Sequence, residues 1–220
     1  MTEKERGIGV LGGTFDPVHN GHLVLAEAAR REFALARILF IPAAQPPHKL
    51  GEPISPFHHR AAMLELALVG HPVFGVSRME EKRPGPSYSV DTLRELRESL
   101  GWNCTLYFII GSDAFAEITT WKNFNELFRY ADFLVAERPD TAPGHLDDFL
   151  SRQPGFSRDP AGVCWHHPLG ARLYPLPVAA FPVSATTIRR KIRQGQPIQG
   201  LVPPPVEAYI RQHRLYRAGD

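Results

Sequence analysis

The chain has little cysteine, little net charge and no long apolar run, and each shortage narrows the field. Its 220 residues include two cysteines, Cys104 and Cys164. They form no Cys-x-x-Cys pair, so neither a disulfide framework nor a zinc knuckle is indicated. A formal net charge of +2 is too small and too dispersed to argue for a nucleic-acid surface. No apolar run approaches the roughly 18 residues that span a bilayer. The charged start Met1-Thr2-Glu3-Lys4-Glu5-Arg6 leads directly into a strand-like segment and leaves no apolar core for a signal peptide. Neither Gly-x-Gly-x-x-Gly nor Gly-x-x-x-x-Gly-Lys-Ser/Thr occurs at the first turn, which weakens dinucleotide-fingerprint and P-loop readings. These absences leave a globular protein in a reducing, cytoplasmic setting, with no nucleic-acid or membrane partner expected and an open oligomeric state.

What is present is an alternation of short apolar runs with longer helical patterns, the mark of βαβ units around a mainly parallel sheet. Strands are predicted at Ile8–Leu11, Ile38–Ile41, Val73–Val76, Thr105–Ile110, Phe133–Ala136 and Arg172–Leu176. Helices are predicted from about Gly21, through Met63–Leu68, over Asp91–Leu100, from about Ser184 to Arg193 and from about Pro205 to His213. Residues 138–170 read as a short helix plus loops rich in Pro, Gly and Asp. The expected fold is a doubly wound, Rossmann-like α/β domain over residues 1–182, with a small helical part over 183–220. Ligands bind at the strand C-termini in such sheets, which draws attention to Gly12–His22 and Gly111–Asp113.

In the turn after the first strand, Gly12 and Gly13 let backbone amides approach an anion, and the following helix adds partial positive charge. His19 and His22, three apart at the helix entrance, can point to one side and donate to phosphate oxygens. A metal pair or a helix-capping histidine is the plainer alternative. Ser184 is a suitable N-cap for a second anion-facing helix, from which Arg189 could grip phosphates. His58-His59 and Cys164-Trp165-His166-His167 lack a complete metal-ligand set at usual spacing.

Gly12-Gly13-Thr14-Phe15-Asp16-Pro17-Val18-His19-Asn20-Gly21-His22 resembles the signature of the nucleotidyltransferase superfamily, and more narrowly that of bacterial nicotinate-nucleotide adenylyltransferases. Val183-Ser184-Ala185-Thr186-Thr187-Ile188-Arg189 resembles the family's second signature, Ile-Ser-Ser-Thr-x-Ile-Arg, with a hydroxyl lost at Ala185. The resemblance implies adenylyl transfer from ATP to nicotinate mononucleotide, giving deamido-NAD and pyrophosphate, with Mg2+ held mainly by the substrate phosphates. It implies catalytic roles for His19, His22 and Arg189, and ATP binding by Gly12, Gly13, Thr14, Phe15, Gly111, Asp113, Ser184, Thr186 and Ile188. It implies nicotinate mononucleotide binding by Asp16, by Lys49 in Pro46-Pro47-His48-Lys49, by Ser89 and by Trp121, with Asp91 as a helix cap. Another acceptor, such as nicotinamide mononucleotide or phosphopantetheine, and a non-catalytic nucleotide sensor are the competing readings.

Overall fold

The structure is a computed structural model and describes residues 7–49, 53–137, 145–153, 155–178 and 182–217. The strands are β1 (Ile8–Gly13), β2 (Arg37–Pro42), β3 (Phe74–Val76), β4 (Leu106–Gly111), β5 (Asp132–Glu137), β6 (Ser157–Arg158), β7 (Trp165–His166) and β8 (Arg172–Pro177). They form one mainly parallel sheet in the order β3-β2-β1-β4-β5-β8-β7-β6. The helices are α1 (Asn20–Glu32), α2 (Phe57–Ala67), α3 (Ser89–Leu100), α4 (Ser112–Ala116), α5 (Phe124–Tyr130), α6 (His145–Ser151), α7 (Ala185–Arg193) and α8 (Pro204–Gln212). Among the described residues, no helix is long and apolar enough to cross a membrane.

The chain falls into two compact units. The first takes the described residues of 1–12, 25–38 and 88–180. Its centre is β4, whose Leu106, Phe108, Ile109 and Ile110 are buried, as expected of a strand covered on both faces. β4 pairs in parallel with β1 (Val10 opposite Phe108) and with β5 (Ile109 opposite Leu134). Phe133 packs between Phe108 and Phe128, ring centroids 5.7 and 4.9 Å away, and Leu93 and Leu96 of α3 are buried too. β1 and β4 are parallel neighbours on either side of the reversal in strand order, so Gly12 and Gly111 end the two strands at one edge. Crevices at such an edge are where open α/β sheets take ligands.

Residues 145–178 carry more order than a helix plus loops. β6 and β7 form an antiparallel pair and β7 runs antiparallel to β8, which adds a hairpin to an otherwise parallel sheet. With two residues each, these strands are too short for a period-two pattern to register. Part of the segment over which loops were predicted, residues 138–144 and 154, lies outside the described residues.

The second unit takes the described residues of 13–24, 39–87 and 181–220. Phe40, Ile41, Met63, Leu64, Ile188 and Val206 are among its most deeply buried side chains. The α2 stripe Arg60, Met63, Leu64, Ala67 recurs at helical spacing and faces inward in full, arginine included. Ser184 caps α7 as expected, its hydroxyl accepting from the Thr187 amide at 3.2 Å.

Candidate functional site

In the second unit, the turn that follows β1 is held open by a buried arginine. The Arg60 guanidinium donates to the carbonyls of Thr14 (2.8 Å), Ala43 (2.7 Å), Ser55 (2.9 Å) and Ala44 (3.3 Å), and 1% of the residue is exposed. Burial lowers its pKa, while the charge of Asp16 works the other way. By taking up carbonyls, Arg60 turns the oxygen side of residues 14 and 43–44 inward. Phe15 sits at φ +51, in the left-handed region that costs a non-glycine residue about 1 kcal/mol or more. Its buried ring is fixed edge-on to His22 at 4.9 Å and against Phe40 at 5.9 Å.

His19 and His22 meet as the spacing predicts. Their rings stack with centroids 3.7 Å apart, and burial drives both pKa values down, His19 to about 4 and His22 well below its ordinary value, with His19 adding to the effect. Both rings are therefore neutral at pH 7. His22 Nδ1 accepts from the His19 backbone N–H at 3.1 Å, so in the neutral ring the proton sits on Nε2. His22 thus offers a single N–H donor at the start of α1, where the helix dipole already favours an anion. His19 Nδ1 is buried with no hydrogen-bond partner. A Cβ built on Gly21 would lie 3.0 Å from that nitrogen and 3.1 Å from Val183 Cγ1, so glycine there makes room for the imidazole.

Asp16 is 3% exposed. Its Oδ1 accepts from the Tyr216 hydroxyl at 2.6 Å and its Oδ2 from the Ser55 amide at 3.2 Å. Burial and Asp16 together push the Tyr216 phenol far up, so it stays protonated. The Asp16 carbonyl accepts from Arg189 Nη1 at 2.7 Å, and Arg189 Nη2 reaches Thr186 Oγ1 at 3.4 Å. The two signature segments are in this way joined directly. Ile188 departs from the expected ATP-binding set: it is fully buried, and its amide donates to the Ser184 carbonyl. It anchors α7, and the groups presented at that helix start belong to Ser184, Ala185 and Thr186.

Lys49 closes a 3₁₀ turn, Pro47–Lys49, and is half-buried. The approach to this turn is stapled by Ser87, whose hydroxyl accepts from the amides of Ala44 (2.9 Å) and Gln45 (3.1 Å). Arg60, Ser87 and Tyr216 are the contributors that motif reading missed. Arg60 left a trace, a cation in the apolar stripe of α2. Ser87 heads the segment Ser87–Leu93 that resembles the family's, although its bonds to residues 44–45 are legible in no motif, and Tyr216 left no trace because its partner lies far away in the chain.

In the first unit, α3 starts at Ser89, two residues earlier than predicted, and Tyr88 occupies the cap position without a side-chain bond. Asp91 is therefore inside the helix and is not its cap. Its carboxylate pairs with Arg94 (2.7 Å) and with Lys122 Nζ (3.1 Å), and Lys122 also lies 4.4 Å from the centroid of the Tyr88 ring. These contacts tie the start of α3 to the segment holding Trp121, whose ring meets Phe108 edge-on at 6.3 Å. Ser89 and Trp121 are brought to one region, where the Asp91 and Thr92 amides donate to the Tyr88 carbonyl at 3.1 and 3.2 Å and the amides of Ser89 and Val90 come before the first helical acceptor.

At the ends of β1 and β4, glycine is not required by the protein's own packing. A Cβ on Gly12 would meet only Phe108, at 3.9 Å, and one on Gly111 would meet nothing within 4 Å. Beyond Gly111 the Ser112 hydroxyl is buried without a partner, beside a cleft lined by Ser112, Asp113, Phe115, Glu137 and Phe149.

Residues 10–191 match the cytidylyltransferase-like family. The chain is 39% identical over 218 residues to a "Probable nicotinate-nucleotide adenylyltransferase" of Thermoanaerobacter sp. (strain X514), covering 99% of this chain and 98% of the relative. It is 43% identical over 210 residues to a protein of the same description from Moorella thermoacetica, covering 96% and 91%. Among solved structures, the Plasmodium falciparum nicotinic acid mononucleotide adenylyltransferase complexed with NaAD superposes with a TM-score of 0.74 at 20% identity, over 96% of this chain and 97% of that one. That likeness bears on the fold, and the Rossmann-like expectation holds. The chain is a nucleotidyltransferase of the cytidylyltransferase-like family, and within it belongs to the nicotinate-nucleotide adenylyltransferases.

Proposed function

We propose that the protein transfers the adenylyl group of ATP to nicotinate mononucleotide, releasing pyrophosphate and forming deamido-NAD in NAD biosynthesis, in the cytoplasm. The observation that carries the reading is the neutral His19–His22 stack at the start of α1, whose His22 ring keeps Nε2–H as its donor, together with Arg189 bonded to the Asp16 carbonyl in the turn before it. An acceptor phosphate oxygen, already anionic at neutral pH, attacks the α-phosphorus in line, and the bond to the β,γ-diphosphate breaks. No protein nucleophile is needed, and the described groups suit a stabilising role. Neutral imidazole donors and an arginine aimed at developing negative charge are worth most where water is excluded.

In this reading His22 and His19 face the triphosphate, and Arg189 neutralises the departing pyrophosphate. The amides of Gly12, Gly13, Thr14 and Phe15 and the hydroxyls of Ser184 and Thr186 complete the ATP contacts, while Gly111 and Asp113 take the ribose. Ile188 acts by fixing the α7 backbone. Ser89 with the first α3 amides receives the nicotinate carboxylate, Trp121 stacks on the pyridinium ring, and Lys49 meets the acceptor's phosphate. Asp16 keeps lone pairs beyond the two it commits to Tyr216 and Ser55, and through one of them it accepts from the acceptor's ribose.

Magnesium fits this site only as a companion of the nucleotide. Among the described residues, the Asp16 carboxylate in the turn leading to the histidines already accepts two protein hydrogen bonds, which commits it to the protein rather than to a hard cation. Mg2+ bound by the substrate phosphates would supply charge neutralisation. Pyrophosphate release from ATP, offered nicotinate mononucleotide, nicotinamide mononucleotide and phosphopantetheine in turn, tests the function. Release with the nicotinate acceptor is expected. Release only with phosphopantetheine sinks the acceptor assignment, and release with none sinks the enzyme reading.

A further inference from the structure

The β6–β7 hairpin gathers three metal-ligating side chains remote in sequence from both signatures. Cys164 and His166 are two apart entering β7, so they face the same side of the strand. The turn brings Asp159 back to them, its amide donating to the Cys164 carbonyl at 3.0 Å. One ligand atom from each of Asp159, Cys164 and His166 lies within 4.8 Å of the other two, a coincidence that alternation or hairpin pairing alone does not demand.

The sulfur–nitrogen separation suits tetrahedral zinc. With Zn–S near 2.3 Å and Zn–N near 2.0–2.1 Å, tetrahedral geometry separates sulfur from nitrogen by about 3.6 Å. Cys164 Sγ and His166 Nε2 are 3.7 Å apart. Thiolate, imidazole and carboxylate together select zinc over magnesium or calcium, which prefer oxygen ligands alone. Thiolate and carboxylate also balance the charge of a divalent ion.

The scaffold is set before any ion arrives. Asp159 Oδ1 accepts the Val163 amide at 3.1 Å, and the Gly162 amide donates to the Asp159 carbonyl at 2.9 Å. Gly162 itself sits at φ +72, which a side chain would strain. The second Asp159 oxygen remains for a ligand.

We infer that Asp159, Cys164 and His166 form a zinc site with water in the fourth position, a clip that closes a hairpin whose strands are only two residues long. Binding exchanges the Cys164 S–H proton for an S–Zn bond, releases that proton to solvent and involves no change of oxidation state. The site is separate from adenylyl transfer and stands whether or not that function holds.

The test is Co2+ titration of the chelator-stripped full-length protein, followed by absorbance. One equivalent should produce tetrahedral d–d bands and a thiolate-to-cobalt charge-transfer band, both erased by Zn2+. Cys164→Ser should lose the charge-transfer band, and His166→Ala and Asp159→Asn should each weaken binding by about tenfold or more. Zn2+ should raise the melting temperature of the parent protein and leave that of Cys164→Ser unmoved. Absence of the band in the parent protein overturns the site. So does a band that survives Cys164→Ser, which would assign it to Cys104, or cobalt binding that is lost in His59→Ala instead.

Discussion

Arg189 Nη1 donates to the backbone carbonyl of Asp16 at 2.7 Å across 173 residues of sequence. The arginine of the second signature is thus oriented by the first and by Thr186, with the N–H groups not committed to them turned to phosphate in the proposed reaction. Lysine carries the same charge but lacks the planar fork needed to hold the carbonyl and a phosphate together. Arg189→Lys is expected to lower kcat by about 10²-fold with a melting temperature within a few degrees of the parent. Steady-state pyrophosphate release beside thermal denaturation checks it, and an unchanged kcat removes Arg189 from the chemistry.

Gly12→Ala separates a ligand's need for glycine from the protein's own. The added Cβ would come no closer than 3.9 Å to anything but chain neighbours, so stability should move by no more than about 0.5 kcal/mol. ATP affinity should nonetheless fall, since a methyl group would stand where phosphate approaches the backbone. Urea titration with calorimetric ATP binding reads both. Unchanged ATP affinity contradicts the cradle.

Arg60→Met should cost at least about 3 kcal/mol, because four carbonyls lose the buried guanidinium they share. Tyr216→Phe, which leaves one Asp16 oxygen without its donor, should cost about 1–3 kcal/mol. Denaturant midpoints measure each. A loss smaller than about 0.5 kcal/mol at Arg60 would mean that the loop holds its shape without the guanidinium.

The histidine stack predicts an acid-sensitive fold. Unfolded, both rings titrate near 6.5. Folded, His19 titrates near 4 and His22 well below its ordinary value. The unfolded chain therefore binds more protons in that window, and the stability held above pH 6.5 is lost as the pH falls towards 4. The slope is up to about 1.4 kcal/mol per pH unit for each ring. Denaturant midpoints in buffers from about pH 7 to pH 5 should fall faster for the parent than for His19→Gln. Parallel curves would show that His19 is not held neutral.

The readable parts of the sequence were those where local order carries the information. Gly12, Gly13, His19 and His22 sit within eleven residues of one turn and helix start, and Ser184 announces its helix by chemistry alone. The α3 start was misread because Asp91 looks like a cap, whereas its acidity serves a pairing with Lys122 that only folding brings about. Tyr216 and Asp16 meet across 200 residues, a partnership no window on the sequence contains. Ile188 stands with its motif among the expected ligands, although a fully apolar side chain between hydroxyls and arginine is as well explained by the core.

The most direct measurement is mass spectrometry of the reaction of purified protein with ATP, Mg2+ and nicotinate mononucleotide. Deamido-NAD and pyrophosphate should appear in equal amounts, and His22→Ala should slow their formation by about 10²-fold or more. Absence of deamido-NAD, or its formation at the parent rate by His22→Ala, would contradict the account.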